Sequence, residues 1–97
     1  MFELFWTHQS EADFNVLKLD PAQNKHYKAI LKTIKLLAAN PRHPGLQTHE
    51  FTSLKAPQGE KVFEAYAEQN TPAAYRVFWY YGPDKGQITI FAITKHP

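Results

Sequence analysis

Residues 62–94 read VFEAYAEQNTPAAYRVFWYYGPDKGQITIFAIT. Three runs rich in Val, Ile, Phe, Tyr and Trp, at 62–68, 74–81 and 87–94, are separated by Gln-Asn-Thr-Pro and by Gly-Pro-Asp-Lys-Gly. β-Branched and aromatic side chains suit a pleated, half-buried surface, and Pro, Gly, Asn and Asp suit turns, so this stretch predicts three strands joined as two consecutive hairpins. Strand alternation places Tyr75, Val77, Trp79 and Tyr81 on one face of the middle run and Arg76, Phe78 and Tyr80 on the other. In the last run, Ile88, Ile90 and Ala92 alternate with Phe91 and Ile93.

Upstream of this meander the period changes from two to between three and four. Asp20-Pro21-Ala22-Gln23 predicts a helix start, with Asp as N-cap, Pro where its missing N–H costs nothing, and Gln three residues after the cap. Tyr27, Ile30, Leu31, Ile34, Leu37 and Ala38 then form one apolar stripe, which Asn40-Pro41 ends. Lys25, Lys28, Lys32 and Lys35 form a second stripe, read as a solvated helix back rather than a phosphate-facing ridge. Ser10-Glu-Ala-Asp13 reads as the cap and acidic first turn of a shorter helix, with Phe14 and Leu17 inward and Val16 beside them. Phe2–Thr7 suits a first strand, with Phe2, Leu4 and Trp6 sharing a face. Each helix has one apolar stripe that it cannot bury alone, so the pair is expected to cover one face of the sheet, in the order β-α-α-β-β-β.

The chain of 97 residues is 43% hydrophobic, enough for one core, and 1–97 is read as a single α+β domain. It has no cysteine, which excludes disulfides, thiolate metal sites and cysteine nucleophiles. No stretch approaches a membrane-spanning length and no leader pattern opens the chain, so a cytoplasmic, membrane-free protein is expected. The net charge of +2 is unevenly spread, because residues 18–61 hold eight Lys or Arg against three acids. Residues 41–61 carry PRHPG and APQG around Leu46, Phe51 and Leu54, and are expected to form a long irregular loop. His43 and His49 have no tight ligand spacing with His8 or Glu50, so neither a metal nor a cofactor is expected.

The element order, the chain length, the segments His43-Pro44-Gly45-Leu46 and Tyr75-Arg76-Val77-Phe78-Trp79, and a His near the C-terminus together resemble the RelE/ParE superfamily of bacterial toxin–antitoxin systems. The likeness spans the whole chain. It implies a helical hairpin packed on a twisted, mainly antiparallel sheet. It also implies a cytoplasmic toxin bound by a cognate antitoxin, in a family linked to plasmid stabilisation. Some members cut mRNA on the ribosome as metal-independent endoribonucleases, whereas others inhibit DNA gyrase without being enzymes, and a non-toxic orphan domain of the same fold is a third alternative.

Cleavage of RNA by its own 2′-hydroxyl needs a base, a cation for charge building on the phosphate, and an acid for the leaving 5′-oxygen. Arg76, which matches the family's strand arginine, is the candidate cation, aimed at a phosphate from a partly exposed position. A salt bridge to Glu64 or Glu68 is the competing structural role. His96 is the candidate acid, and Glu64 or His49 the candidate base. Glu64 stands where many nucleolytic members carry an arginine, a departure that removes positive charge from the site. Arg42, Lys55, Lys61 and Tyr80 are the candidate RNA and phosphate contacts, with Trp79 and Tyr81 as further stacking surfaces.

Overall fold

A computed structural model describes residues 1–69 and 73–95. Strand β1 (Glu3–Trp6) leads into helix α1 (His8–Leu19), a short 3-10 turn (Pro21–Gln23) and helix α2 (Asn24–Ala39). A second 3-10 turn (Pro44–Leu46) precedes strands β2 (His49–Lys55), β3 (Lys61–Tyr66), β4 (Tyr75–Tyr81) and β5 (Gln87–Lys95). The sheet order is β1-β5-β4-β3-β2. Only the β1–β5 pairing is parallel, the other three being antiparallel.

The caps explain where the helices begin. Thr7, not Ser10, is the N-cap of α1; its side chain accepts from the Ser10 backbone N–H, and the Ser10 hydroxyl reciprocates. Ser10 is fully buried and its hydroxyl also donates to the Ile90 carbonyl at 2.7 Å, tying the helix start to β5. Asp20 caps the 3-10 turn through the Ala22 N–H, and that turn runs on into α2. The apolar stripe of α2 buries Ile30, Ile34, Leu37 and Ala38, while Lys25, Lys28, Lys32 and Lys35 are exposed. Val16 does not join Leu17 in the core; it is 65% exposed, one helical position off the face that meets β5.

The main core lies between the helices and one sheet face, where Leu17, Ile30, Ile34 and Leu37 meet Ala65, Val77, Trp79, Ile88 and Ile90. Each buried Leu, Ile or Val side chain there contributes about 1.5–3 kcal/mol of transfer free energy. A smaller cluster of Ala56, Val62 and Phe78, flanked by Phe51, Leu54, Tyr80 and Phe91, lies on the opposite, outer face.

Two further expectations are corrected. The segment expected to be an irregular loop contains β2, an edge strand whose burial along HEFTSLK does not alternate cleanly. His49 and Glu50 pair with Glu64 and Phe63, the register then slips, and Lys55 pairs with Lys61. The strand exists because β3 offers it a ladder, a nonlocal cause that its own composition does not carry. In β5 the inward residues are Ile88, Ile90 and Ile93, with Ala92 on the outer side beside Phe91. The register moves one residue on β4 and two on β5 between Trp79↔Ile90 and Phe78↔Ala92, so a bulge at Phe91 reverses the alternation.

Candidate functional site

The outer sheet face carries a polar cluster at the end of β3 farthest from the β2–β3 turn. His49 opens β2 directly opposite Glu64, and directly opposed antiparallel residues present neighbouring side chains on one face. The His49 Nε2 lies 2.7 Å from Glu64 Oε1, the imidazole being 47% exposed and the carboxylate only 3%. The other ring nitrogen, Nδ1, is 3.0 Å from the Gln47 carbonyl. Both of these partners accept, so the ring donates at both nitrogens only in its protonated form.

Arg76 approaches Glu64 from the other side. It sits opposite Tyr66 on β4, one diagonal step from Glu64, and its Nε is 3.5 Å from Glu64 Oε2. Its Cζ lies 3.8 Å over the Tyr66 ring centroid. Nη1 donates to the Glu68 carbonyl at 2.6 Å and to the Tyr75 carbonyl at 3.3 Å. A carboxylate buried without partners costs several kcal/mol, so the cluster persists because Arg76 and His49 both face Glu64. The arrangement joins an accessible imidazole to a buried carboxylate, backed by a guanidinium.

The expectation that Arg76 is partly exposed and aimed at a phosphate is not met. Its side chain is 8% exposed and its donors turn inward to Glu64 and two main-chain carbonyls. The Tyr66 ring that covers it was legible only as one aromatic in a strand. His96, the candidate acid, lies outside the described residues. Arg42, Lys55 and Lys61 are not gathered with His49. The Arg42 guanidinium lies 5.4 Å over Phe63, on the helix side of the sheet, and Lys61 pairs at 4.0 Å with Glu50. Lys55 sits at the far end of the β2–β3 hairpin, opposite Lys61. Tyr80 does share the outer face, half-buried and edge-on to Phe91. Trp79 is fully buried and closed to a stacking base, while Tyr81 is 37% exposed.

The His43-Pro44-Gly45-Leu46 motif has a structural explanation. His43 Nδ1 accepts from the Gly45 N–H at 2.9 Å, capping the turn, and Leu46 is buried in the main core. A Cβ on Gly45 would stand 3.1 Å from that nitrogen, so the close ring position favours glycine. Among the described residues, no group of three or more His, Asp or Glu is placed to hold a metal ion. Among the same residues, no helix is long and apolar enough to cross a membrane.

A second polar cluster went unread in the sequence. His26 on α2 places Nδ1 2.8 Å from both Glu68 oxygens, and Glu68 Oε1 also accepts from the Tyr75 N–H at 3.1 Å. Burial, helped by the nearby Glu68 and Asp13 carboxylates, pushes the Tyr75 phenol above its ordinary 10.0. Because the folded state holds this proton more tightly than the unfolded chain, the stability it confers is complete below the ordinary value and lost as pH rises through the folded one. Alkaline absorbance titration is therefore expected to show a late phenolate transition that Tyr75→Phe removes. An unchanged curve would contradict the environment described.

No family model matches this chain, and no curated protein matches it. Solved structures do match. A YoeB/ParE toxin from Agrobacterium tumefaciens superposes with a TM-score of 0.70 at 14% identity, over 98% of this chain and 99% of that one. An archaeal RelE–RelB complex from Pyrococcus horikoshii gives 0.64 at 16% identity, over 97% and 93%. A YoeB dimer from Staphylococcus aureus gives 0.63 at 15% identity, over 99% and 98%. At such identities the likeness is one of fold, and the fold of the described residues is RelE-like.

Proposed function

We propose that this RelE-like domain is the toxin of a type II toxin–antitoxin pair and acts as a metal-independent endoribonuclease on mRNA, with His49 as its principal acid–base group. The observation that carries this reading is the exposed imidazole held by a buried carboxylate on the outer sheet face. Glu64 anchors Nε2 and fixes the ring, and Arg76 holds Glu64 in place, so both are positioning residues. The Nδ1–H, engaged only by the local Gln47 carbonyl, is the proton to pass to the departing 5′-oxygen as the 2′-oxygen bonds to phosphorus. The bond from phosphorus to the 5′-oxygen breaks, leaving a 2′,3′-cyclic phosphate and a 5′-hydroxyl. The 2′-hydroxyl proton leaves to solvent water as that bond forms.

Support for the toxin role comes from the fold shared, over nearly the whole chain, with solved structures described as a toxin and as a toxin–antitoxin complex. The partner is a cognate antitoxin, as the solved RelE–RelB complex suggests by analogy. A second reading has an observation of its own. Arg76 is committed to Glu64 and the main chain, so the expected phosphate cation is missing from the outer surface, which favours a non-enzymatic inhibitor of a protein such as gyrase. Induced expression in a bacterial host separates the two. Growth arrest with new 5′-hydroxyl RNA ends, both suppressed by the product of a neighbouring small gene, is the expected result. Arrest with intact RNA would transfer the assignment to the protein-inhibitor reading.

A further inference from the structure

Just past β3, Ala67 and Glu68 both donate their backbone N–H groups to the Tyr75 carbonyl, each at 3.2 Å. Two residues opposing one make a β-bulge, which re-aims the side chain that follows. Simple alternation would put Glu68 on the outer face with Glu64 and Tyr66. The bulge turns its carboxylate to the helix side instead, where His26 Nδ1 on α2 meets both oxygens at 2.8 Å and the Tyr75 N–H reaches Oε1 at 3.1 Å. The Glu68 main-chain carbonyl nevertheless serves the outer face, because it accepts from Arg76 Nη1 at 2.6 Å. One residue therefore joins the helix layer to the polar cluster across the sheet.

We propose that His26 is a positioning residue for His49, acting through the sheet. Its ring clamps the Glu68 carboxylate, the Glu68 carbonyl holds the Arg76 guanidinium, and Arg76 backs the Glu64 carboxylate that orients the His49 imidazole. The importance of His49 for catalysis rests on the ribonuclease reading, whereas the brace itself rests on these contacts.

The bulge needs such a clamp because its main chain is weakly tethered. The β2 ladder along β3 goes no further than the His49↔Glu64 pair, and the Gln47–Gln69 amide bond beyond the bulge is exposed. The Tyr75 carbonyl receives Arg76 Nη1 at 3.3 Å as well as the two bulge N–H groups, so three donors compete for an oxygen with two lone pairs. The bonds to the Glu68 carboxylate are charge-assisted and shorter, and the side chain that makes them is only 9% exposed. The other end of the clamp is fixed too: α2 is set in the core by Ile30 and Ile34, and the His26 ring packs on Tyr75 with centroids 4.9 Å apart. A guanidinium whose shortest bond goes to the bulge carbonyl moves when the bulge moves. His26 thereby governs a cluster that it does not touch.

Heteronuclear NMR of the full chain reads the Arg76 Nε–H and the His49 ring nitrogens without any RNA. His26→Ala and Glu68→Ala should each displace the His49 ring resonances and make the Arg76 Nε–H exchange with water several-fold faster, and the double variant should add little, because both remove the same contact. His26→Asn, which keeps a donor in the place of Nδ1, should restore both signals. Ile30→Val, which loosens the packing of the same helix without touching Glu68, should leave both as they are. In RNA cleavage, His26→Ala should lower kcat by roughly tenfold, within the about 10²-fold that a misplacement of 1 Å can cost, with KM unchanged because His26 lies on the helix side. Wild-type Arg76 and His49 signals in folded His26→Ala, or changes just as large in Ile30→Val, would overturn the brace. If His26→Ala does not fold, Glu68→Ala and His26→Asn decide the matter by the same signals. Displaced His49 signals in a chain whose wild type leaves RNA uncut would keep the brace and sink the ribonuclease reading instead.

Discussion

Arg76→Ala is expected to lower the unfolding free energy by about 3 kcal/mol, the lower end of what breaking a buried ion pair costs. The low end applies because Nε and Oε2 are 3.5 Å apart, too far for a strong charged hydrogen bond. The main-chain bonds from Nη1 and the stack on Tyr66 are lost as well, and Glu64 loses the Arg76 side of its partnership while the His49 side remains. For a domain of this size the change corresponds to a melting temperature lower by about 12–24 °C. The companion variant Glu64→Leu/Arg76→Leu should recover part of the loss, since neither charge is left buried alone. Thermal unfolding that is unchanged in Arg76→Ala would mean that the residue is not the strut described, and would revive its direct role toward phosphate.

His49→Ala should behave in the opposite way. Removing a positioned acid–base group typically costs about 10²–10⁴-fold in rate, so RNA cleavage and growth arrest should both collapse. Stability should fall by only about 1 kcal/mol, well short of Arg76→Ala: the 2.7 Å bond to the buried Glu64 carboxylate is lost, but the imidazole is 47% exposed and Arg76 still faces that carboxylate. Glu64→Gln tests the positioning role. It keeps the side-chain shape but removes the charge that orients a protonated ring, so it should reduce the rate while His49→Ala in the same background adds little further loss. A His49→Ala variant that cleaves RNA at the wild-type rate would end the assignment. Retained toxicity with no RNA cleavage in any variant would point to a protein target.

Local chemistry made much of this molecule legible in the sequence. Asp20-Pro21 and Asn40-Pro41 bounded α2, and its apolar spacing identified Ile30, Ile34 and Leu37 as core, because caps and stripes depend on residues within a few positions of one another. Strict alternation in β4 correctly separated Val77 and Trp79 from Arg76 and Phe78. The same reasoning brought Arg76 and Glu64 onto one face. It failed where the cause was distant: β2 is a strand only because β3 templates it, and the Phe91 bulge reverses the alternation of β5 through its register with β4. The site followed the same division. Residue types together with the family resemblance nominated His49, Glu64 and Arg76, but the direction in which a guanidinium points is set by which acceptors surround it in three dimensions. Only the folded chain put Tyr66 beneath Arg76 and the Glu68 carbonyl at its Nη1, turning an expected phosphate cation into the support of a buried carboxylate.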